Sequence, residues 1–227
     1  MTGVRTPRTA SPSVLIGQLL VGLVLLAVAA IGGYELIRRP WTNRIDAAGF
    51  TAFPANPNSF LYHRVAEIGS LPFLLGAIAL AIVLSIWRDL PRAIACALGP
   101  VIAVVVTERI GKPFVGRHLS ALGGDSYPSG TVTAAAALVT VITLAVPMVL
   151  RPVVGLGGLG VIGAVAIAVV GMRWHYPTDA FGGACVGVGA VLTLDALAHA
   201  PRCWSMRRAS REPPPSGPTR LYASSLP

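Results

Sequence analysis

The sequence predicts an all-α, polytopic membrane protein: a bundle of six transmembrane helices with a polar tail at each end. Hydrophobic residues make up 54% of the 227 residues and charged residues 12%, and a soluble domain carries about twice that charged fraction. The charges are also clustered, because long apolar stretches alternate with short segments rich in Arg, acidic residues, Pro and Gly. This alternation is typical of a helical protein that crosses the membrane several times.

Six apolar runs carry this prediction, and each is close to the ~20 residues that a helix needs to cross the hydrocarbon layer. They cover residues 14–37, 65–87, 93–110, 129–146, 153–172 and 180–197. A cleaved signal peptide is an alternative for the first run, but its length and the lack of a clear small-residue cleavage site favour a retained helix. The membrane domain is therefore predicted over residues 13–200, with an interfacial loop that contains aromatic residues at 38–62.

Both tails, residues 1–12 and 201–227, are polar, basic and rich in Pro, which predicts disorder. The net charge is +9, and 17 of the 18 basic residues are Arg. The tails and short loops hold most of this charge, which suits anionic lipid headgroups, and no basic surface interleaved with aromatic residues indicates a nucleic-acid partner. With the N-terminus inside, the inner segments hold ten basic residues and the outer segments eight, which favours cytoplasmic termini.

The cysteines indicate no special chemistry. Cys96, Cys185 and Cys203 are scattered along the chain, which predicts neither a disulfide framework nor a metal site. Nothing else in the sequence calls for a metal or another cofactor, and the bias toward Ala, Val, Gly and Arg is typical of a bacterial genome rich in GC.

Three short polar segments fall together on one face of the predicted bundle, the extracytoplasmic face in this orientation. They read GKPFVGRH (111–118), YPSGT (127–131) and RWHYPTD (173–179). In the first segment, Lys112 is the only lysine of the chain and lies close to Arg117. Such cations can bind an anion, since Arg grips phosphate with two hydrogen bonds; snorkelling of the side chains toward headgroups is the alternative.

The other two segments carry a helix start and a candidate catalytic pair. Ser129 can cap the fourth helix and Gly130 lets a ligand approach the backbone, and the free amides of a helix N-terminus bind phosphate. His175 and Asp179 are four residues apart, so the carboxylate can hold one imidazole nitrogen and leave the other free as a base or nucleophile. An ordinary helix start and an interfacial His beside a capping Asp are the alternatives.

Taken together, the three segments resemble the type 2 phosphatidic acid phosphatase superfamily, the lipid phosphate phosphatases related to vanadium haloperoxidases. That family carries three signatures in a fixed order. In the first, a Lys is followed after six residues by Arg-Pro, and the second is Pro-Ser-Gly-His. In the third, Ser-Arg is followed after five residues by a His and after three more by an Asp. The resemblance covers about residues 60–198. It implies a six-helix membrane fold and hydrolysis of a lipid phosphate.

The resemblance also implies roles for individual residues. His175 matches the nucleophile that forms a phosphohistidine, and Asp179 matches the carboxylate that orients it. Four further residues match the phosphate pocket: Lys112, Arg117, Ser129 and Gly130.

Three positions depart from the family pattern. Leu119-Ser120 stand in place of Arg-Pro, Thr131 in place of the His that acts as the general acid, and Ala168-Val169 in place of Ser-Arg. From their positions in the sequence, Arg173 is a candidate to replace a phosphate-binding arginine, and His118 or Asp125 is a candidate to replace the acid.

These residues predict a membrane phosphatase that hydrolyses a lipid phosphate or diphosphate at the extracytoplasmic face. Loss of the acid favours a diphosphate such as polyprenyl diphosphate, because its leaving group is a lipid phosphate with a last pKa of about 6, which departs without a proton. One alternative is a member of the family that only binds a lipid phosphate headgroup. Another is a lipid transporter, since acidic residues lie in or near the apolar runs: Glu35, Glu67, Glu108 and Asp195.

Overall fold

The computed structural model describes residues 11–53, 55–87, 89–119 and 124–209 of the chain, and these residues are almost entirely helical. The helices are α1 (Pro12–Ile31), α2 (Pro40–Ala52), α3 (Phe60–Ala66), α4 (Leu71–Ser85), α5 (Leu90–Val105), α6 (Lys112–Val115), α7 (Gly130–Ala145), α8 (Arg151–Gly171) and α9 (Pro177–Ala209). Two π-helical turns follow α1 and α5, at Gly32–Leu36 and Val106–Gly111. A small antiparallel pair, β1 (His118–Leu119) and β2 (Gly124–Asp125), precedes α7.

Four helical segments of the described chain are long and apolar enough to cross a membrane. They are Pro12–Glu35, Leu90–Val115, Arg151–Gly171 and Pro177–Pro201. A fifth span results if Phe60–Gly69 and Leu71–Ser85 are counted together across their bend of 43°. The fold is therefore that of a helical membrane protein with four or five candidate spans. A sixth span stays a prediction, because α7 is apolar but only 16 residues long.

Helix α7 lies in the middle of the bundle, enclosed by α4, α5, α8 and α9. Its four consecutive alanines at 134–137 are buried and let the surrounding helices come close. On the facing helix, a Cβ added to Gly187 would collide with the carbonyl oxygen of Thr133, so α7 and α9 pack backbone against backbone. Small residues at helix contacts are how membrane bundles gain packing energy.

Helix α2 lies within the segment 38–62 that the sequence analysis predicts to be a loop, so that prediction is wrong for this stretch. Pro40 takes the first helical position, where its missing amide costs nothing. The buried face of α2 consists of Thr42 and Asp46, one helical turn apart. Because this face is polar, the helix is hidden from a hydropathy pattern.

Helix α9 runs past the predicted boundary at residue 200 and ends at Ala209. Pro201 removes a single amide, and the Arg, Met and Ala residues that follow it are good helix formers. The other residues of the predicted tails, 1–10 and 210–227, lie outside the described part of the chain.

A buried ionic cluster joins α1, α5 and α9 far from the polar segments. Asp195 is fully buried and accepts hydrogen bonds from Arg92 Nε at 3.2 Å and Gln18 Nε2 at 2.8 Å. His199 Nε2 lies 2.9 Å from an oxygen of Asp89. Asp195 follows Asp179 by about 24 Å along α9, from a rise of about 1.5 Å per residue. This cluster provides partners for Asp195, one of the acidic residues on which the transporter alternative rests.

Candidate active site

The three polar segments meet at one end of the bundle through hydrogen bonds that join one segment to the next. His175 Nδ1 lies 2.9 Å from the carbonyl oxygen of Ser126. Arg117 Nη1 donates to Asp179 Oδ1 at 2.7 Å, and the amide of Ser129 donates to the carbonyl of Asp179 at 3.0 Å. The turn before α9, the start of α7 and the segment after α6 therefore form a single site.

The contact with Ser126 determines the chemical state of His175. A carbonyl oxygen can only accept a hydrogen bond, so Nδ1 carries the proton and the lone pair of the neutral ring is on Nε2. Burial and the positive charge of Lys112 lower the pKa of His175 to about 4. At neutral pH the side chain is therefore an uncharged imidazole with a nucleophilic Nε2.

The group that orients His175 differs from the one that the resemblance implies. Asp179 Oδ2 is 3.9 Å from His175 Nδ1 and accepts instead from the amide of Tyr176 at 2.9 Å. The position of Ser126 is in turn set by the main chain of Arg117, whose carbonyl accepts from the Ser126 amide at 2.6 Å. A backbone carbonyl leaves no mark in a sequence, which is why this partner could not be predicted.

Arg117 lies inside a network of protein acceptors. Its Nη1 donates to Thr178 Oγ1 as well as to Asp179, both at 2.7 Å, and its Nη2 donates to Asp46 of α2 at 2.5 Å. The guanidinium also stacks on the ring of Tyr176, 3.9 Å from its centre. Two carboxylates share one guanidinium here, so Arg117, Asp46 and Asp179 together carry a net charge of about −1. These three side chains form a clamp that joins α2 to α9.

Asp46 is the residue of this site that sequence reasoning missed. It is 2% exposed and also accepts from the amide of Thr178 at 3.0 Å. The helical spacing of Thr42 and Asp46 could have revealed it, had the segment been recognised as a helix.

Lys112 lies at the more open side of the site, with its side chain 22% exposed. Its Nζ is 2.8 Å from Oε2 of Glu108, one helical turn earlier. The other carboxylate oxygen of Glu108 reaches the start of α7, where a Cβ added to Gly130 would collide with it. Ser129 caps this helix, since its Oγ accepts from the amide of Val132 at 3.4 Å.

Arg173 contacts α2 through its side chain. Its backbone has a left-handed φ of 62°, which is rare for a residue with a side chain and ends α8. Its Nη2 donates to the carbonyl of Phe50 at 2.9 Å, and its guanidinium lies 4.1 Å from the centre of the Phe50 ring. His118 pairs with Asp125 in the two short strands, and its side chain lies outside what the structure describes.

Two of the three segments that depart from the family pattern lie in packed surroundings; of the third, Leu119-Ser120, Ser120 and the side chain of Leu119 lie outside the described residues. Thr131 lies against Gly69, because a Cβ added to Gly69 would collide with the main-chain oxygen of Thr131. Ala168 and Val169 are buried in α8, and the carbonyl of Val169 accepts from the amide of Trp174 at 2.9 Å. The interior of the bundle thus has apolar groups where the family pattern has a serine and an arginine.

Comparison with known proteins gives one informative likeness. No family model matches the sequence, and no curated protein matches it. Among solved structures, the chain is similar to the first transmembrane PAP2 type phosphatidylglycerolphosphate phosphatase from Bacillus subtilis, with a TM-score of 0.55 and 18% identity. The alignment covers 83% of this chain and 96% of that chain. The predicted resemblance is confirmed at the level of the fold: this chain has the fold of a transmembrane PAP2-type phosphatase.

Proposed function

We propose that the protein hydrolyses a membrane lipid phosphate or diphosphate through a phosphohistidine on His175. The observation that carries the proposal is the 2.9 Å contact between Nδ1 and the Ser126 carbonyl, which leaves Nε2 free as a neutral nucleophile. Phosphoryl transfer requires positioning and charge stabilisation more than further chemical groups, and the site offers both.

In the first step Nε2 of His175 attacks phosphorus in line with the leaving oxygen. Lys112 and the first amides of α7, at Gly130 and Thr131, hold the phosphoryl oxygens. Arg117 contributes by fixing Asp179 through its side chain and Ser126 through its main-chain carbonyl, since three of its N–H contacts go to Asp46, Thr178 and Asp179. In the second step water attacks the phosphohistidine and releases phosphate.

Two apolar cavities beside the site support a lipid substrate. One, of about 380 Å³, lies between α1, α2 and α9, and its lining includes Trp41, Ile45 and Phe181. The other, of about 280 Å³, lies between α1 and the segment after α5. Both touch Tyr127, which precedes α7. A hydrocarbon chain that entered either cavity from the bilayer would bring its phosphate to the polar end of the bundle.

A polyprenyl diphosphate suits this site better than a monophosphate. Cleavage of a monophosphate expels an alkoxide, which needs a proton donor, and Thr131 stands where the family has that donor. Cleavage of a diphosphate expels a lipid phosphate with a last pKa of about 6. We place the site at the extracytoplasmic face of a bacterial cell membrane, with cytoplasmic termini whose arginines contact anionic lipids.

One other function is favoured by a specific observation. Arg117 is held by Asp46 and Asp179, and Arg173 by the carbonyl of Phe50. Arg117 and Lys112 are thus paired with protein carboxylates, whereas Nη1 of Arg173 is buried and has no hydrogen-bond partner among the described residues. A protein that binds a lipid phosphate headgroup without turnover is consistent with this arrangement.

Phosphate release from a matched pair of substrates tests the proposal. We expect the purified protein in detergent to hydrolyse polyprenyl diphosphate at least about 10-fold faster than the monophosphate of equal chain length, since a general acid is worth about 10²–10⁴ in rate. Phosphatidic acid should also be slow, and a chelator should have no effect. Faster hydrolysis of the monophosphate would contradict the leaving-group argument. No release from any lipid would favour the binding function.

Removal of the charge at Lys112 should move the acidic limb of the pH profile. Lys112→Gln removes a cation that disfavours protonation of His175, so the pKa of His175 should rise from about 4 toward its usual value. Protonation blocks Nε2, and the fall in kcat/KM at low pH should therefore begin at a higher pH in the variant. An unchanged position of this limb, whatever the height of the profile, would show that Lys112 does not act on His175.

A further inference from the structure

Glu108 brings a carboxylate to the site. From the sequence, this residue supports only the transporter alternative. It lies in the π-helical turn Val106–Gly111, a type of turn that recurs at functional sites. Its two oxygens face different groups: Oε2 contacts Lys112 at 2.8 Å, and Oε1 lies against Gly130. A side chain at position 130 would exclude the carboxylate, so Gly130 provides the space for it.

The proposed reaction requires a base that the signature residues do not supply. Water must lose a proton as it attacks the phosphorus of a phosphohistidine. A group that gives a proton in the first step of such a reaction can take one in the second, but Thr131 replaces that group here. A threonine hydroxyl is not a base at neutral pH, and Thr131 packs against Gly69.

The position of Glu108 fits the geometry of this second step. In an in-line displacement the attacking water lies on the side of phosphorus opposite the leaving nitrogen. The base must therefore lie beyond the phosphoryl group and not beside the imidazole. Lys112 acts on His175 through its charge and contacts Glu108 directly. A phosphoryl group held by Lys112 and the amide of Gly130 lies next to Glu108, because Glu108 is against both of them.

The carboxylate of Glu108 is not enclosed by the protein. The Glu108 side chain is 41% exposed, whereas Asp179 and Asp46 are enclosed by the protein. Its Oε2 contacts Lys112 at 2.8 Å, one helical turn later in the chain. Glu108 therefore combines a carboxylate, an exposed side chain and contact with two of the groups that hold the phosphoryl oxygens, which is what the second step needs.

We propose that Glu108 is the general base that activates water for hydrolysis of the phosphohistidine; this inference rests on the proposed function. The water oxygen forms a bond to phosphorus as the P–Nε2 bond breaks, and the electron pair of that bond returns to Nε2. Glu108 takes the proton of the water. His175 is left neutral, with Nδ1–H still bonded to Ser126. The first step does not use Glu108 when the leaving group is a lipid phosphate.

The substitution Glu108→Gln keeps the shape of the side chain and removes the base. With polyprenyl diphosphate labelled in its terminal phosphate, we expect one rapid equivalent of lipid phosphate per protein and then turnover about 10²–10⁴-fold slower than in the wild type. The label should accumulate on the protein as an acid-labile phosphohistidine and should be absent from a Glu108→Gln/His175→Ala double variant. Glu108→Asp retains a carboxylate and should recover much of the turnover.

Glu35→Gln is a matched control. Glu35 lies in the other π-helical turn and pairs with Arg39 four residues later, at 3.5 Å; this variant should behave as the wild type. Two results would overturn the inference about Glu108 and leave the proposed function standing. One is an equal loss of rate in the first and the later turnovers of Glu108→Gln, and the other is slow turnover without labelled protein. Absence of release by the wild-type protein would overturn the proposed function and this inference with it.

Discussion

Replacing His175 with alanine should lower phosphate release by about 10³-fold or more, the scale expected when a catalytic nucleophile is removed. Among the described residues, the groups that contact the imidazole cannot replace it as a nucleophile, because they are a backbone carbonyl and a carboxylate that is already bonded. Nδ1 of His175 contacts the carbonyl of Ser126, and the nearby carboxylate of Asp179 is bound by Arg117. The measurement is the initial rate with polyprenyl diphosphate at saturating substrate.

The control for this experiment is His63→Ala. His63 lies in α3 at the same end of the bundle, contacts the carbonyl of Pro57 at 3.0 Å and packs edge-on against Trp174, next to His175. It is exposed and has no place in the proposed reaction, so its loss should leave the rate within a few-fold of the wild type. A His175→Ala protein that keeps the wild-type rate, or a His63→Ala protein that loses it, would remove His175 from its role as nucleophile.

A second readout separates chemistry from folding in the His175 experiment. His175→Ala removes one buried hydrogen bond, and such a bond contributes about 1 kcal/mol to stability. The thermal unfolding midpoint of the variant in detergent should therefore stay close to that of the wild type. Loss of turnover together with a large fall in this midpoint would indicate a structural role for the imidazole.

The sequence could predict what hydropathy and motif spacing encode. The apolar runs correspond to the long helices, and the polar segments around Lys112, Ser129 and His175 do meet at one end of the bundle. Backbone acceptors and buried polar helix faces have no such signature. The carbonyl of Ser126 and the carboxylate of Asp46 therefore entered the site only with the structure.

The clamp formed by Arg117 is a case where motif and structure lead to different expectations. The motif assigns Arg117 to phosphate, whereas its donors are bonded to Asp46, Thr178 and Asp179. A phosphate ligand and a clamp predict different consequences of mutation. Loss of a ligand weakens substrate binding and leaves stability unchanged, while loss of a clamp leaves buried carboxylates without a countercharge.

Arg117→Ala should reduce the free energy of unfolding by about 3–5 kcal/mol, the cost of removing one partner from a buried ion pair. Asp46 is 2% exposed and Asp179 is fully buried, so neither carboxylate can recover its lost partner from water. Arg117→Lys should be intermediate, because a single ammonium cannot reproduce the fork of hydrogen bonds. The measurement is thermal or denaturant unfolding in one detergent, beside KM for the diphosphate.

Asp46→Asn is the variant that makes this test specific. In Asp46, Oδ2 accepts from Arg117 and from the hydroxyl of Thr178, while Oδ1 accepts from the amide of Thr178. The single oxygen of Asn can replace Oδ2 but leaves the Thr178 amide facing an NH2 group. The substitution alone should therefore cost about 1–3 kcal/mol, although the clamp changes from a net charge of about −1 to neutral. In the Arg117→Ala background it should recover part of the lost stability, because it removes one of two unpaired buried charges. The opposite result would be additive effects of the two substitutions on stability, a raised KM and an unchanged unfolding midpoint in Arg117→Ala. It would identify Arg117 as a phosphate ligand whose contacts with the two aspartates contribute nothing to the fold.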